Sequence, residues 1–300
     1  MSWIKNITYG NRVKANMALV FLVFSWSSSM VAGKYAFTHY PLAPAVFLRM
    51  LLASFAFFLL RSQWRDVRLR PGDWKWFLAM GLCDPCLFLT FEARALVLTS
   101  ASQAGVISAT SPLLTLGCAV LFLGEKTSRA MLFGFFLAFL GVAGLSAASP
   151  GDDLLAPNPL LGNTLEFIAI FWGALFVVCA KKLSGSYPPI FLALVTTLCG
   201  LVYFLPPALW SWSESPPVFH GGALLAIAYL ALAVTIAGMF CMNYSLREFP
   251  AGRVAAALNL VPVLTIILGR LCLGEEMTWL QYGLSLIVLW GLLVIQRHSG

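Results

Sequence analysis

The chain has 300 residues, 60% of them apolar and 10% charged, with a formal net charge of +7. Soluble domains carry about a quarter charged residues and disordered chains have low hydrophobicity, so this composition excludes both a soluble two-domain protein and an unfolded segment. The basic residues form no dense tract and do not alternate with a polar aromatic platform, which argues against a nucleic-acid partner.

A helix that crosses a bilayer needs about 20 predominantly apolar residues. The hydropathy pattern predicts ten such spans, an all-α integral membrane fold in the lipid bilayer, near residues 15–34, 42–60, 75–97, 101–122, 129–148, 160–180, 189–210, 222–246, 252–272 and 279–296. The first follows Lys5, Arg12 and Lys14 and is too long for the apolar core of a signal peptide, so it is expected to remain as a helix. The third and fourth are separated only by a short break around Thr99. The seven cysteines all lie in apolar stretches, an odd set that suits small core residues better than a disulfide framework, and the Cys83–Cys86 pair lacks a redox-domain context.

Assigning loops alternately to two sides collects Lys5, Arg12, Lys14, Arg61, Arg65, Arg68, Arg70, Lys75, Lys126, Arg129, Lys181, Lys182, Arg247, Arg253 and Arg297 on one side, against Lys34 and Arg270 on the other. The positive-inside rule then makes the first side, with both termini, cytoplasmic. The net positive charge is therefore an orientation signal.

Thr99 to Glu125 aligns without gaps on Phe249 to Glu275, an offset of 150, with Pro112 on Pro262, Thr115 on Thr265 and Leu-Gly-Glu on Leu-Gly-Glu. An offset of half the chain implies a repeat. The expected division is 1–148 and 160–300, joined by an external linker at 149–159. Five spans per copy is an odd number, so the second copy enters the membrane inverted. Inverted repeats characterise transporters whose substrate path lies at the repeat interface near the midplane.

These residues carry a family resemblance. Trp26 and Lys34 in the first span, Arg49 in the second, then Pro-Leu-Leu-Thr and Leu-Gly-Glu closing the fourth, with Trp172, Lys181, Pro262 and a second Leu-Gly-Glu in the other half, resemble the ten-helix EamA-type branch of the drug/metabolite transporters. The resemblance spans about Ala15 to Ile295. It implies a plasma-membrane permease, often an exporter of amino acids or other small metabolites, with a central cavity lined by spans one to four and six to nine. Spans five and ten are then peripheral. The charges of the third span depart from the usual pattern.

Charges inside a span ordinarily face a cavity or a partner. Asp84 lies about nine residues, ~14 Å, into the third span, beside Pro85, which deprives the Gly81 carbonyl of its helical donor. It reads equally as a proton- or cation-coupling group, an anchor for a substrate amine, or the ion-pair partner of Arg49. Glu92 lies about 80° round the helix from Asp84 and is expected to line the cavity, whereas Arg94 points to the opposite side and snorkels to an interface. Arg49 is suited to a substrate carboxylate or to a structural pair. Pro112 and Pro262 are expected as hinges, with Pro85 as a third break. Asn243 and Asn259 supply uncharged hydrogen-bonding groups, and Trp26, Trp172, Phe176 and Tyr229 supply an aromatic cavity lining. The Leu-Gly-Glu segments read first as helix caps, with the Glu at the start of the following helix. Ala130, Gly134 and Ala138 offer a close-packing helix face.

No H-E-x-x-H, buried Ser-His pair or phosphate-cradling loop is present, so an intramembrane enzyme is disfavoured and no cofactor is expected. A sensor or scaffold would carry a soluble domain, and no loop here exceeds roughly 15 residues. The expectation is a secondary carrier of a small molecule by alternating access, with proton coupling and downhill facilitation both open, and with monomer and homodimer equally compatible.

Overall fold

The computed structural model describes residues 2–111, 113–115, 117–118, 129–148, 156–184, 186–214, 219–248, 257–258 and 260–298. Helices α1 (Ser2–His39), α2 (Leu42–Leu59), α3 (Trp74–Gly81), α4 (Phe88–Leu98), α5 (Ala101–Ser108) and α6 (Arg129–Ala147) make up the first half. The second half holds α7 (Pro159–Ser184), α8 (Pro189–Glu214), α9 (Gly221–Tyr229), α10 (Met239–Glu248), α11 (Leu260–Leu273) and α12 (Trp279–His298). Six segments among the described residues are long and apolar enough to cross a membrane, and two shorter apolar helices accompany them.

The bundle presents Phe55, Phe136, Val202, Leu225, Leu271 and Leu286 on its outside, a surface suited to lipid rather than water. Backbone polarity is absorbed within the helices, as hydrocarbon requires. The serine run of α1 is tolerated for the same reason. Ser25, Ser27, Ser28 and Ser29 each donate to a carbonyl one turn back, and Ser27 also reaches the Val261 carbonyl at 3.2 Å.

Packing follows the offset of 150. Helix α2 lies against α8, and α6 lies against α12. Met50 meets Gly200 at the first of these crossings, where an added Cβ would fall 2.9 Å from the Met50 sulfur and would also strike the Pro85 ring. The second crossing is close because Gly141 and Gly144 accept Val288 and Leu284; Ala130 and Ala138 of the expected close-packing face lie outside the described side chains. Pairing α4 with α7 corresponds to pairing α10 with α1.

Two wide helical turns interrupt the bundle, at Leu82–Leu87 between α3 and α4 and at Leu230–Gly238 between α9 and α10. They occupy corresponding positions of the two halves. In the first, Asp84 adopts extended backbone angles (φ −143°, ψ 122°), and the Asp84–Pro85 peptide is cis. The break expected at Thr99 is present: Thr99 is extended and the Ser100 hydroxyl caps α5 by accepting from the Gln103 amide at 3.1 Å.

Helix α1 runs past the expected end of the first span to His39, and this moves Lys34 from a loop into the interior, where it is 2% exposed. Pro262 is buried in α11, beside the α1 contact at Val261. Pro112, Asn259 and the first Leu-Gly-Glu lie outside the described residues, as does the side chain of Asn243 on α10. All seven cysteines are free thiols.

Candidate functional site

Two polar clusters lie inside the bundle. The first is at the end where α4 gives way to α5. Four successive carbonyls at the end of α4 lack helical donors, and the Lys34 ammonium from α1 donates to two of the carbonyls there, Leu96 at 3.0 Å and Thr99. The amides opening α5 are met by Glu275. Its carboxylate accepts from the Ala101 amide at 2.6 Å, the Ser102 amide at 2.9 Å and the Ser102 hydroxyl at 2.7 Å. Gly274 precedes it with φ +69°, a left-handed cap to α11. The Gly of this Leu-Gly-Glu is therefore a helix cap as expected, but its Glu serves a helix in the opposite half of the chain rather than the helix that follows.

The same end is completed from α7. The Thr99 hydroxyl donates to Asn163 Oδ1 at 2.7 Å, and Asn163 Nδ2 donates to Gln103 Oε1 at 2.7 Å. These side chains are buried and mutually satisfied, so the two halves are sealed together at this end.

The second cluster is at mid-bundle. Arg49, on α2, donates from Nε to the Thr235 hydroxyl at 3.3 Å, and Thr235 in turn donates to the Leu230 carbonyl at 3.0 Å, in the second wide turn. Arg49 and Asp84 are both half-buried, while Glu92 is 8% exposed. Arg49 lies within electrostatic range of both carboxylates. It makes no direct ion pair with either: among the described residues the one ion pair is the surface contact Arg65–Asp66 at 3.6 Å. A guanidinium held at its Nε by a hydroxyl keeps its terminal nitrogens for a planar anion such as a carboxylate.

Trp26 is half-buried, and its indole nitrogen faces the second wide turn at Gly238. Tyr229 joins that wall through a 2.6 Å hydrogen bond with Ser28. Trp172 is also half-buried but packs edge-on with Phe171 on α7. Arg94 is exposed on the far side of α4, in keeping with its expected separation from Glu92. No group of acidic, His or Cys side chains among the described residues is placed to hold a metal ion.

One buried acid lies outside the candidate residues of the sequence. Glu166, seven residues into α7 and surrounded by apolar neighbours, is fully buried and lies in electrostatic range of Glu92. Its signal was a lone acid in an apolar run. Nothing comparable announced Asn163, whose role depends on Thr99 and Gln103 arriving from the other half.

Comparison with known proteins adds identity to this geometry. The model of the EamA-like transporter family matches twice, over residues 13–147 and 162–297. The chain is 27% identical over 268 residues to the uncharacterized transporter YetK of Bacillus subtilis (strain 168), covering 87% of this chain and 80% of that protein. It is 26% identical over 293 residues to a probable amino-acid metabolite efflux pump of Salmonella typhimurium, covering 94% of each. A solved crystal structure superimposes with a TM-score of 0.62 over 96% of this chain and 99% of the other, at 18% identity, a likeness of fold.

Proposed function

The chain belongs to the EamA-like transporter family and is a multi-pass membrane protein, and from that premise we propose that it is a secondary exporter of small metabolites of the amino-acid class. In this reading ten spans form two inverted five-helix repeats, both termini lie in the cytoplasm, and the repeats rock about a site at mid-membrane. The observation that carries it is the cluster of Arg49, Asp84 and Glu92 beside wide turns placed alike in the two halves. Broken helices at a repeat interface offer the backbone and side-chain groups that a polar substrate needs within a bilayer.

An amino acid carries one carboxylate and one ammonium group. Arg49 receives the carboxylate, Asp84 receives the ammonium, and Trp26 with Tyr229 closes the apolar wall around the side chain. Trp172, Asn243 and Asn259 complete the lining, and Pro85, Pro112 and Pro262 serve as points of flexure. The Salmonella relative, named as a probable amino-acid metabolite efflux pump, supports this substrate class.

The test is flux. Purified protein in liposomes loaded with single radiolabelled amino acids should release at least one of them without nucleotide, and absence of flux across the full amino-acid panel would overturn the reading.

A further inference from the structure

Glu166 is the most anomalous side chain among the described residues. It is 0% exposed, and neither carboxylate oxygen has a hydrogen-bond partner among the described residues. An ionised carboxylate taken out of water without a donor is penalised by several kcal/mol. Glu275 is also buried, yet it accepts three hydrogen bonds.

The position of Glu166 follows from helix register. Gly162 packs on Thr99 and Gly173 packs on Phe88, so α7 runs antiparallel to the third span. Glu166 then stands opposite Ala95, and Glu92 stands opposite Ala169, both alanines being fully buried. The two carboxylates, one from each half, are offset by three residues, about 4.5 Å along the axis. Small residues across the interface let the acidic side chains lie along one another. Asn163, part of the sealed polar network, is one turn, about 5 Å, nearer the end of the bundle.

Charged and titratable groups around Glu166 do not neutralise it. Glu92 on α4 is the one that acts on it. Arg94 on the same helix is exposed. Cys83, Asp84 and Cys86 in the wide turn, Lys75 on α3, and Cys199, Tyr203 and Glu214 on α8 make no hydrogen bond to Glu166, and α5 carries no titratable side chain. Arg129, at the start of α6, lies outside the described side chains. Arg49 lies near Glu92 and Asp84, so one cation faces two acids before Glu166 is counted.

We infer that Glu166 and Glu92 form a proton site built across the two halves, in which Glu166 carries one proton while the Glu275 end of the bundle is sealed. Opening that end brings water to within one turn of Glu166, where the carboxyl releases its proton and hydration stabilises the anion. Once that end has reclosed and the opposite end has opened, the carboxyl takes a proton from the other compartment. One proton is gained and one lost per cycle, and no other bond changes. The proton itself does not depend on the export reading; its use as a coupling ion rests on that reading.

Infrared difference spectroscopy of the purified full-length protein at neutral pH tests the proton directly. Wild type should show a protonated-carboxyl carbonyl stretch that shifts in deuterated buffer, Glu166→Gln should remove it, and the surface control Asp66→Asn should leave it unchanged. A spectrum that Glu166→Gln leaves unaltered overturns the proposal. If Glu166→Gln does not fold, Glu166→Asp decides the matter: a displaced band supports the assignment and an unmoved band overturns it. In liposomes containing a pH-sensitive dye, the protons moved per labelled amino acid should fall to background in Glu166→Gln, and an unchanged ratio overturns the coupling role. Absence of amino-acid flux in wild type would instead sink the export reading, leaving the infrared result to decide the proton.

Discussion

The sealed end of the bundle and its middle both bury charge, and they do so in opposite ways. At the sealed end Lys34, Glu275, Asn163 and Gln103 are each met by hydrogen-bonding groups from other elements, largely helix termini that would otherwise be orphaned. At mid-bundle Arg49 touches only a hydroxyl, its acidic neighbours stand off, and Glu166 has no partner among the described residues. Satisfied buried groups rigidify a fold, and unsatisfied ones are retained for something that arrives or leaves. On the proposed function, the contrast separates side chains that hold the two halves together from side chains that act on cargo.

Substitutions should divide along that line. Glu275→Ala leaves the amides of Ala101 and Ser102 unmet, and removing a charged acceptor from several buried donors should destabilise the protein by about 3 kcal/mol or more; a large fall in the thermal midpoint, followed by size-exclusion fluorescence, checks this. Asn163→Leu removes the link between Thr99 and Gln103 and should cost about 2 kcal/mol in the same assay. Arg49→Gln should slow amino-acid flux about tenfold, equivalent to about 1.4 kcal/mol, while the thermal midpoint holds or rises, because an incompletely paired charge has left the interior. A midpoint that falls as far as that of Glu275→Ala would move Arg49 to the structural group. Arg94→Gln, on the exposed side of α4, should change neither flux nor midpoint measurably.

A further comparison lies within the middle itself. The first wide turn carries Asp84 and Pro85 where the second carries Val234 and Thr235 at the corresponding positions. Architecture is repeated and chemistry is not. Gly200→Leu, at the crossing that both halves share, should destabilise the bundle by about 1–3 kcal/mol through collision with Met50 and Pro85, and a second-site change of Met50 to Ala should recover part of the loss.

Much of the frame was legible from residue order. Long apolar runs, the break at Thr99 and the repeated Pro and Leu-Gly-Glu positions are local or periodic signals that survive in one dimension. Pro85 announced the first wide turn through its missing amide, but the second has no proline and left no comparable mark. Lys34 read as a loop charge because a lysine near the end of a span usually is one; its burial depends on carbonyls of α4 that lie about sixty residues away in the chain. Glu275 was misplaced onto the following helix for the same reason, since its true partners are 173 and 174 residues distant. Among the candidate site residues, the structure groups Arg49 with Asp84 and Glu92 by electrostatic range, and it holds Trp172 by an aromatic contact on its own helix. Glu166 was available to sequence reading as an acid in an apolar run.

The bond from Glu275 to α5 also bears on biosynthesis. The amides of Ala101 and Ser102 emerge from the ribosome long before their acceptor, which follows 174 residues after Ala101. At roughly 5–20 residues per second, that delay is about 10–35 s. Throughout it the start of α5 must be served by water, lipid headgroups or the insertion machinery. Truncated nascent chains ending before Glu275 should therefore present this segment to a membrane-impermeant labelling reagent, and chains extended beyond it should conceal it.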